Sequence, residues 1–446
     1  MQNNFYFKFI SLFAFSIAIL YIGFFVERTN ATLLITSYGV AFVAYFFYSK
    51  KTFSKEEIKI ILGIGLGLRL VLCFSFPRLS DDIYRFFWDG NLVCKGYNPF
   101  AYLPSYFIDN QHFNNVINID VYNKLNSPNY YSIYPPVCQV VFAAAYFIFP
   151  KSVYGAAVVM KLCLFLCEIG TVFLLLKNEK RHTFFSKNTA ILYALNPLCI
   201  IEICGNLHFE GAMIFFFMLF LNSMYFSDPT GFQNLSGLKK NLFYALSICS
   251  KLLTLIFLPV LFFNLIKEKK IGQAFVLSIG TVALVALFFS PLIDKTFIAN
   301  FGSSLNLYYQ KFEFNASLYY ITKKIATYII GYNPIQYVTG ALSLVVVLNI
   351  LIQSFRHITI FDKLFWTFFV YLLCQSIVHP WYLTTLVLLS ILANKRLGIL
   401  WSGLVFLSYS HYQNGVYQEN YFLICFEYIA LLTFLFLEKK QINLLQ

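Results

Sequence analysis

The stretch Ser80-Asp81-Asp82-Ile83-Tyr84-Arg85-Phe86-Phe87-Trp88-Asp89-Gly90 sets three carboxylates and a guanidinium among aromatic residues. Ser80 suits a helix N-cap, and acids just after it suit the positive end of a helix. At helical spacing Ile83, Phe86 and Phe87 share one side, while Asp82, Arg85 and Asp89 line the other. Such a helix is expected to lie in the outer membrane surface, aromatic side down, with its carboxylates facing a cavity at the water–lipid boundary. The same residues also suit a solvated helix with a local Arg–Asp pair. A second group is the turn Gly205-Asn206-Leu207-His208-Phe209-Glu210-Gly211, behind Asn196-Pro197 and Glu202. Two carboxylates and a histidine at a helix–helix turn can position a hydroxyl-rich ligand, although hydrated turn residues look alike. Glu202 and Glu168 fall in apolar runs, where an acid is costly and marks function. Lys251 interrupts another apolar run, and a lone cation beside a broken helix is a natural phosphate binder. Its plainer role is snorkelling or pairing with a carboxylate. Arg69 is expected to pair with Asp81, Asp82 or Asp89. His379-Pro380-Trp381-Tyr382 joins a donor to interfacial aromatics, which also serve as membrane-belt anchors.

These groups must be held by a membrane bundle. The 446 residues are 59% hydrophobic, 20% aromatic and 12% charged, with a formal charge of +13. A soluble domain is about 25% charged, so soluble and disordered chains are both excluded. Apolar runs suited to helical spans read as 5–26, 31–48, 57–76, 154–176, 189–204, 211–226, 271–290, 336–354, 364–378, 382–393, 397–412 and 421–437. The first run is too long for a signal-peptide core and is expected to be retained. Residues 136–150 read as an interfacial or re-entrant helix after Tyr134-Pro135-Pro136. Residues 241–266 read as two half-spans meeting at Lys251. With these two readings the positive-inside rule places most of the 33 Lys and Arg in inside loops. The long loops 77–135 and 291–335 then lie outside, as do the turns 205–211, 379–382 and 413–420. The fold class expected is an all-α polytopic transmembrane bundle of about 12–14 crossings, with interfacial helices in its first outer loop. The basic excess belongs to membrane loops and needs no nucleic acid. Most of the ten cysteines sit in apolar runs, and no CxxC pair suggests zinc or redox chemistry. Cys94 and Cys138 fall near one polar loop, where they could pair.

In their order along the chain, these motifs resemble the GT-C superfamily of polytopic glycosyltransferases, and most of all its polyprenol-phosphate-mannose-dependent mannosyltransferases. The matching elements are Ser80-Asp81-Asp82-x-Tyr84-Arg85 with Trp88-Asp89-Gly90; Gly96-x-Asn98-Pro99-Phe100; Tyr134-Pro135-Pro136; Asn196-Pro197, Glu202 and Gly205-Asn206-x-His208-x-Glu210; Lys251 followed by Pro259; Phe314-Asn315; and His379-Pro380-Trp381-Tyr382. They span roughly residues 65–385. The chain departs from the pattern in carrying two spans (1–56) before the usual first one; a catalytic module would cover 57–290 and a C-terminal part 291–446. The spacing of the acidic motif varies in the family and leaves Asp81 and Asp82 unranked.

The resemblance implies transfer of one sugar, mannose by family, with inversion, from a polyprenyl-phosphate donor to a hydroxyl of a glycan or lipid acceptor. The place implied is the periplasmic face of a bacterial inner membrane. The chemistry is consistent with that. The leaving phosphate departs anionic and needs cations; the acceptor hydroxyl needs a base. Asp82 or Asp81 is assigned as base. Lys251, Arg85 and His379 would hold the phosphate. Asp89, His208, Glu210, Glu202 and Asn206 would contact acceptor or sugar, and Tyr134, Trp381 and Tyr382 would line the prenyl groove. No cofactor or metal is required, and a divalent cation on Asp81 or Asp82 stays an open alternative. A lone base without a nucleophilic carboxylate separates this from retaining glycosidase chemistry. Two rivals stand beside it. A transporter or flippase would set its ionisable groups near the midplane. A periplasmic ligase or polymerase would favour one late loop rich in Arg and His, which the sequence lacks.

Overall fold

The computed structural model describes residues 2–49, 53–109, 118–182, 188–226 and 237–444. Residues 110–117 of the expected first outer loop, and 183–187 and 227–236 of two expected inside connectors, lie outside them. Among the described residues the regular structure is helical, and an isolated parallel bridge pairs Phe314 with Ile377. Five helices there are long and apolar enough to cross a bilayer: Ala31–Tyr48, Val153–Arg181, Ile271–Leu292, Ile335–Phe355 and Tyr421–Glu438. A sixth crossing is formed if Pro197–Gly205 and Glu210–Tyr225 are taken together across their break. The chain is therefore a multi-pass helical membrane protein. The expected spans 5–26 and 57–76 are the helices Gln2–Phe25 and Lys55–Leu72, whereas 189–204, 364–378, 382–393 and 397–412 form shorter pieces, because hydropathy registers apolar content but not where a backbone bends.

The chain folds as two compact units. The first comprises Met1–Leu68, Leu175–Glu202 and Tyr309–Gln446. Here Tyr38 stacks on Phe406 at 3.5 Å and its Oη donates to Ser402 O at 2.6 Å. Tyr45 Oη donates to Leu192 O at 2.9 Å. The expected continuous span 189–204 is instead broken into Thr189–Ala194, Pro197–Cys199 and a wide-turn helix Ile200–Gly205. Pro197 explains the break: it lacks an N–H and favours extended backbone before it, and Asn196 is extended (φ −62°, ψ 118°). Asn196 then caps the next piece, its Oδ1 accepting from Cys199 N at 3.2 Å. The run 397–412 likewise is α-helical only over Leu397–Leu404 and continues as a 3-10 helix, Val405–Gly415.

The second unit comprises Arg69–Leu174 and Ile203–Tyr308. Helix Asp82–Cys94 packs along helix Pro136–Ile148. Pro136 opens the latter at a position where the missing N–H costs nothing, and its 13 residues are too few to span. Phe86 stacks on Phe142 at 4.5 Å. Gly90 lets the backbones meet, since a Cβ there would lie 2.4 Å from Phe142 O. Helix Gly237–Ser250 packs against Glu210–Tyr225 and Ile271–Phe289. Its Asn241 Nδ2 donates to Val276 O at 2.9 Å, in space left by Gly280.

Several expectations are corrected in this unit. Arg69, expected to meet Asp81, Asp82 or Asp89, forms its buried ion pair with Glu168. Its Nε donates to Glu168 Oε2 at 2.8 Å, and both side chains are fully buried. The functional reading of Glu168 thus gives way to a buried ion pair, the arrangement that makes a charge tolerable inside a bundle. Lys161 is also fully buried, its Nζ donating to Leu72 O at 3.1 Å and Ser75 O at 2.6 Å. It closes the C-terminal end of helix Lys55–Leu72, which stops short of the expected 76. Cys94 and Cys138 are free thiols.

Candidate active site

The Asp82 helix begins where its sequence says it should, with Asp81 rather than Ser80 at the cap position; Ser80 Oγ still accepts from Asp82 N at 3.3 Å. Only part of the polar side expected on this helix is open. Asp82 is half-buried, whereas Arg85 and Asp89 are buried. The cause is the segment 127–134, which folds over that side. Arg85 Nε donates to Asp89 Oδ1 at 2.7 Å, and Arg85 Nη1 to the carbonyls of Tyr130 (2.8 Å) and Ser127 (3.2 Å). Asp89 Oδ2 accepts from Ser132 Oγ at 2.5 Å and Gln139 Nε2 at 3.2 Å. Arg85 Nη2 and Gln139 Oε1 have no partner among the described residues. Asp89→Ala would leave this guanidinium buried and uncompensated. The expected loss is about 3–5 kcal/mol, read as a lower Tm of the detergent-solubilised protein; an unchanged Tm contradicts the assignment.

This clamp sets Tyr134, whose half-buried ring meets Phe86 edge-on at 4.8 Å. The Asp82 carboxylate lies among Tyr134, Asn126 and Lys251, and Asn126 Nδ2 donates to Asp82 Oδ1 at 3.1 Å. Burial pushes the Asp82 pKa above the ordinary aspartate value. The Asn126 bond and the Lys251 charge pull it back, and the Asp81 charge pushes it up.

Lys251 sits where the sequence breaks. Its backbone is extended (φ −161°, ψ 133°) between helix Gly237–Ser250 and the 3-10 helix Leu252–Phe257. Its ammonium pairs with Glu210 Oε1. Glu210 is fully buried, while the Lys251 side chain is 24% exposed. Glu210 opens helix Glu210–Tyr225, where the helix dipole favours an anion. Its Oε2 is buried without a partner among the described residues. The chain reaches it through Leu207 at φ 66°. Asn206 Oδ1 accepts from Leu79 N at 3.3 Å and so pins the segment leading into Asp82. His208 is buried beside it in the same turn.

Of the residues singled out by sequence, Asp81, Asp82, Arg85, Asp89, Tyr134, Asn206, His208, Glu210 and Lys251 thus belong to the second unit. Glu202, His379, Trp381 and Tyr382 belong to the first. There Glu202 is buried and accepts from Tyr409 Oη at 2.8 Å. His379 stacks on Trp381 at 4.2 Å and meets Tyr382 edge-on at 5.6 Å. Sequence reading missed Asn126, Ser132 and Gln139. Only the turn-rich Asn126-Ser127-Pro128-Asn129 hinted at a fold-back there. Among the described residues no group of three or more His, Cys, Asp or Glu side chains is placed to hold a metal.

No curated protein and no solved structure matches the chain. A family model described as alpha-(1->6)-mannopyranosyltransferase, N-terminal domain, matches residues 20–267. That stretch is more than half of the 446 residues and holds the Asp82, Glu210 and Lys251 cluster. The protein therefore belongs to the alpha-(1->6)-mannopyranosyltransferase family and is a membrane-embedded mannosyltransferase.

Proposed function

We propose that this mannosyltransferase takes a single mannose from a polyprenyl-phosphate donor and passes it, with inversion, to a hydroxyl of a glycan or lipid on the exoplasmic face. Asp82 is the base. The observation that carries this reading is the grouping of a half-buried carboxylate, Asp82, with a partly exposed ammonium, Lys251, which a fully buried carboxylate, Glu210, holds in place. Asp82 removes the acceptor proton as the hydroxyl oxygen attacks the anomeric carbon. The bond from that carbon to the phosphate oxygen breaks, and its electron pair leaves with the phosphate. Lys251 offsets the charge of that phosphate, and Glu210 aims the ammonium. Asp82 is preferred to Asp81 because Asn126, Tyr134 and Lys251 all act on it. Asp89 and Arg85 hold the segment that carries Tyr134. A membrane-delivered donor suits a site built where a bundle meets water, and a raised pKa makes a carboxylate a stronger base.

Incubating the purified protein with radiolabelled polyprenyl-phosphate mannose, its glucose counterpart and GDP-mannose, plus extracted cell glycolipids, tests the donor. Label is expected to move from the first alone. Transfer from GDP-mannose alone would overturn the reading.

The acid limb tests the base. Asp82 acts only when ionised, and its pKa is raised, so kcat/KM should fall as pH drops through a value above that of an ordinary aspartate. Asn126→Ala removes a bond that favours the charged form and should move this limb to higher pH. A limb that stays put or moves down in the pH profile contradicts the assignment.

A further inference from the structure

The turn Gly96-Tyr97-Asn98-Pro99-Phe100 is where the two long loops of the second unit meet. Asn98 Oδ1 accepts from Phe100 N at 3.0 Å, which fixes the turn, and Asn98 Nδ2 donates to Leu292 O at 2.7 Å. The fully buried Phe100 sets its ring against Phe297 at 5.3 Å and Phe301 at 5.8 Å. Those two lie one turn apart on helix Phe297–Lys311 and stack on each other at 5.3 Å. On the same helix Asn300 Nδ2 donates to Phe100 O at 3.0 Å. Ser304, one turn further on, is buried, and its Oγ donates to Tyr131 O at 3.2 Å.

The bond at Tyr131 gains its meaning from the residues on either side. Tyr130 O accepts from Arg85, and Ser132 Oγ donates to Asp89, so both engage the Asp82 helix. Tyr131 O, between them, engages helix Phe297–Lys311 instead. The fold-back segment 127–134 is therefore gripped from two sides. It is also bonded to the loop of the turn, since Ser132 N donates to Pro99 O at 3.2 Å and Ser105 N donates to Pro128 O at 3.0 Å. Asn300 and Ser304 stand in the second unit with the Asp82 cluster, yet beyond the stretch 20–267 that the family model matches.

We propose that Asn300 and Ser304 are positioning residues for sugar transfer: through Phe100 and Tyr131 they hold the fold-back segment on the Asp82 helix and so keep Asn126 on the Asp82 carboxylate. The effect on catalysis rests on Asp82 as the base; the brace itself rests on the bonds that the helix makes.

The test uses the full-length protein in nanodiscs and the double variant Asn300→Ala, Ser304→Ala, in which alanine suits the helix. Amide hydrogen exchange over residues 126–134 should quicken by about two- to tenfold, the range for a lost neutral hydrogen bond, with residues 210–225 unchanged. With radiolabelled polyprenyl-phosphate mannose as donor, kcat/KM should fall by about two- to tenfold. Its acid limb should move to higher pH, the direction expected for Asn126→Ala. In an Asn126→Ala background the same two substitutions should leave the limb in place, because the bond they protect is already gone. Should exchange quicken throughout the chain, Ser304→Ala alone repeats both measurements. Unchanged exchange over 126–134 overturns the proposal. So does faster exchange with an unmoved limb, which would make the helix a structural support only, or a limb shift that recurs in full without Asn126. Faster exchange together with full activity of Asp82→Asn would keep the brace and sink the base assignment instead.

Discussion

Asp82→Asn should reduce mannose transfer by about 10²–10⁴-fold with protein levels in the membrane unchanged. The substitution keeps an acceptor oxygen for Asn126 Nδ2 and preserves the shape of the helix start. It removes only the ability to take a proton. Initial rates in membranes, normalised to protein on a blot, are the readout. Asp81→Asn is the matched control and should cost far less, because Asp81 acts on Asp82 through its charge. Removing that charge should even lower the Asp82 pKa slightly. Full activity of Asp82→Asn together with loss in Asp81→Asn would exchange the roles. Full activity in both would remove the carboxylate base from the account.

The second large effect is expected at Lys251. Lys251→Met leaves the Glu210 carboxylate buried without its cation, with Oε2 already without a partner among the described residues. Breaking a buried pair costs about 3–5 kcal/mol, and the partial exposure of Lys251 puts this pair at the lower end. Tm should fall and donor binding should be lost together. The double variant Lys251→Met, Glu210→Gln separates the two. With no charge left to strand, its Tm should recover, while its KM for the lipid-phosphate donor stays high. If donor KM recovers along with Tm, Lys251 acts only through the fold and the phosphate role is wrong.

How much of this was legible follows the range of each interaction. The helix break at Lys251 was readable because one charge inside an apolar run and Pro259 beyond it are local signals. The short helix Pro136–Ile148 was readable from its prolines and its length. The break at Asn196-Pro197 carried an equally local signal, yet the apolar content of 189–204 outweighed it in the reading. Partner choice was not readable at all. Arg69 and Glu168 are 99 residues apart, and nothing near either one names the other. The burial of Asp89 was hidden for the same reason. A helical wheel assigns Asp89 to a polar side, and only the fold-back of residues 127–134 turns that side inward. Asn126 was missed because a lone amide in a loop looks like any hydrated turn residue until its bond to Asp82 is seen.

The side of the membrane that the Asp82 carboxylate faces decides whether a lipid-delivered donor can meet it. Asn126 is exposed and bonded to Asp82, so a label at position 126 reports the side on which Asp82 lies. The measurement is labelling of Asn126→Cys in intact cells by a membrane-impermeant maleimide, in a chain whose exposed Cys94 and Cys425 are replaced. A cysteine at exposed Lys269, in an expected inside loop, serves as the control. Position 126 is expected to label in intact cells and position 269 only after permeabilisation. Labelling of position 126 only after permeabilisation would put Asp82 on the cytoplasmic side and contradict a lipid-delivered donor at this site.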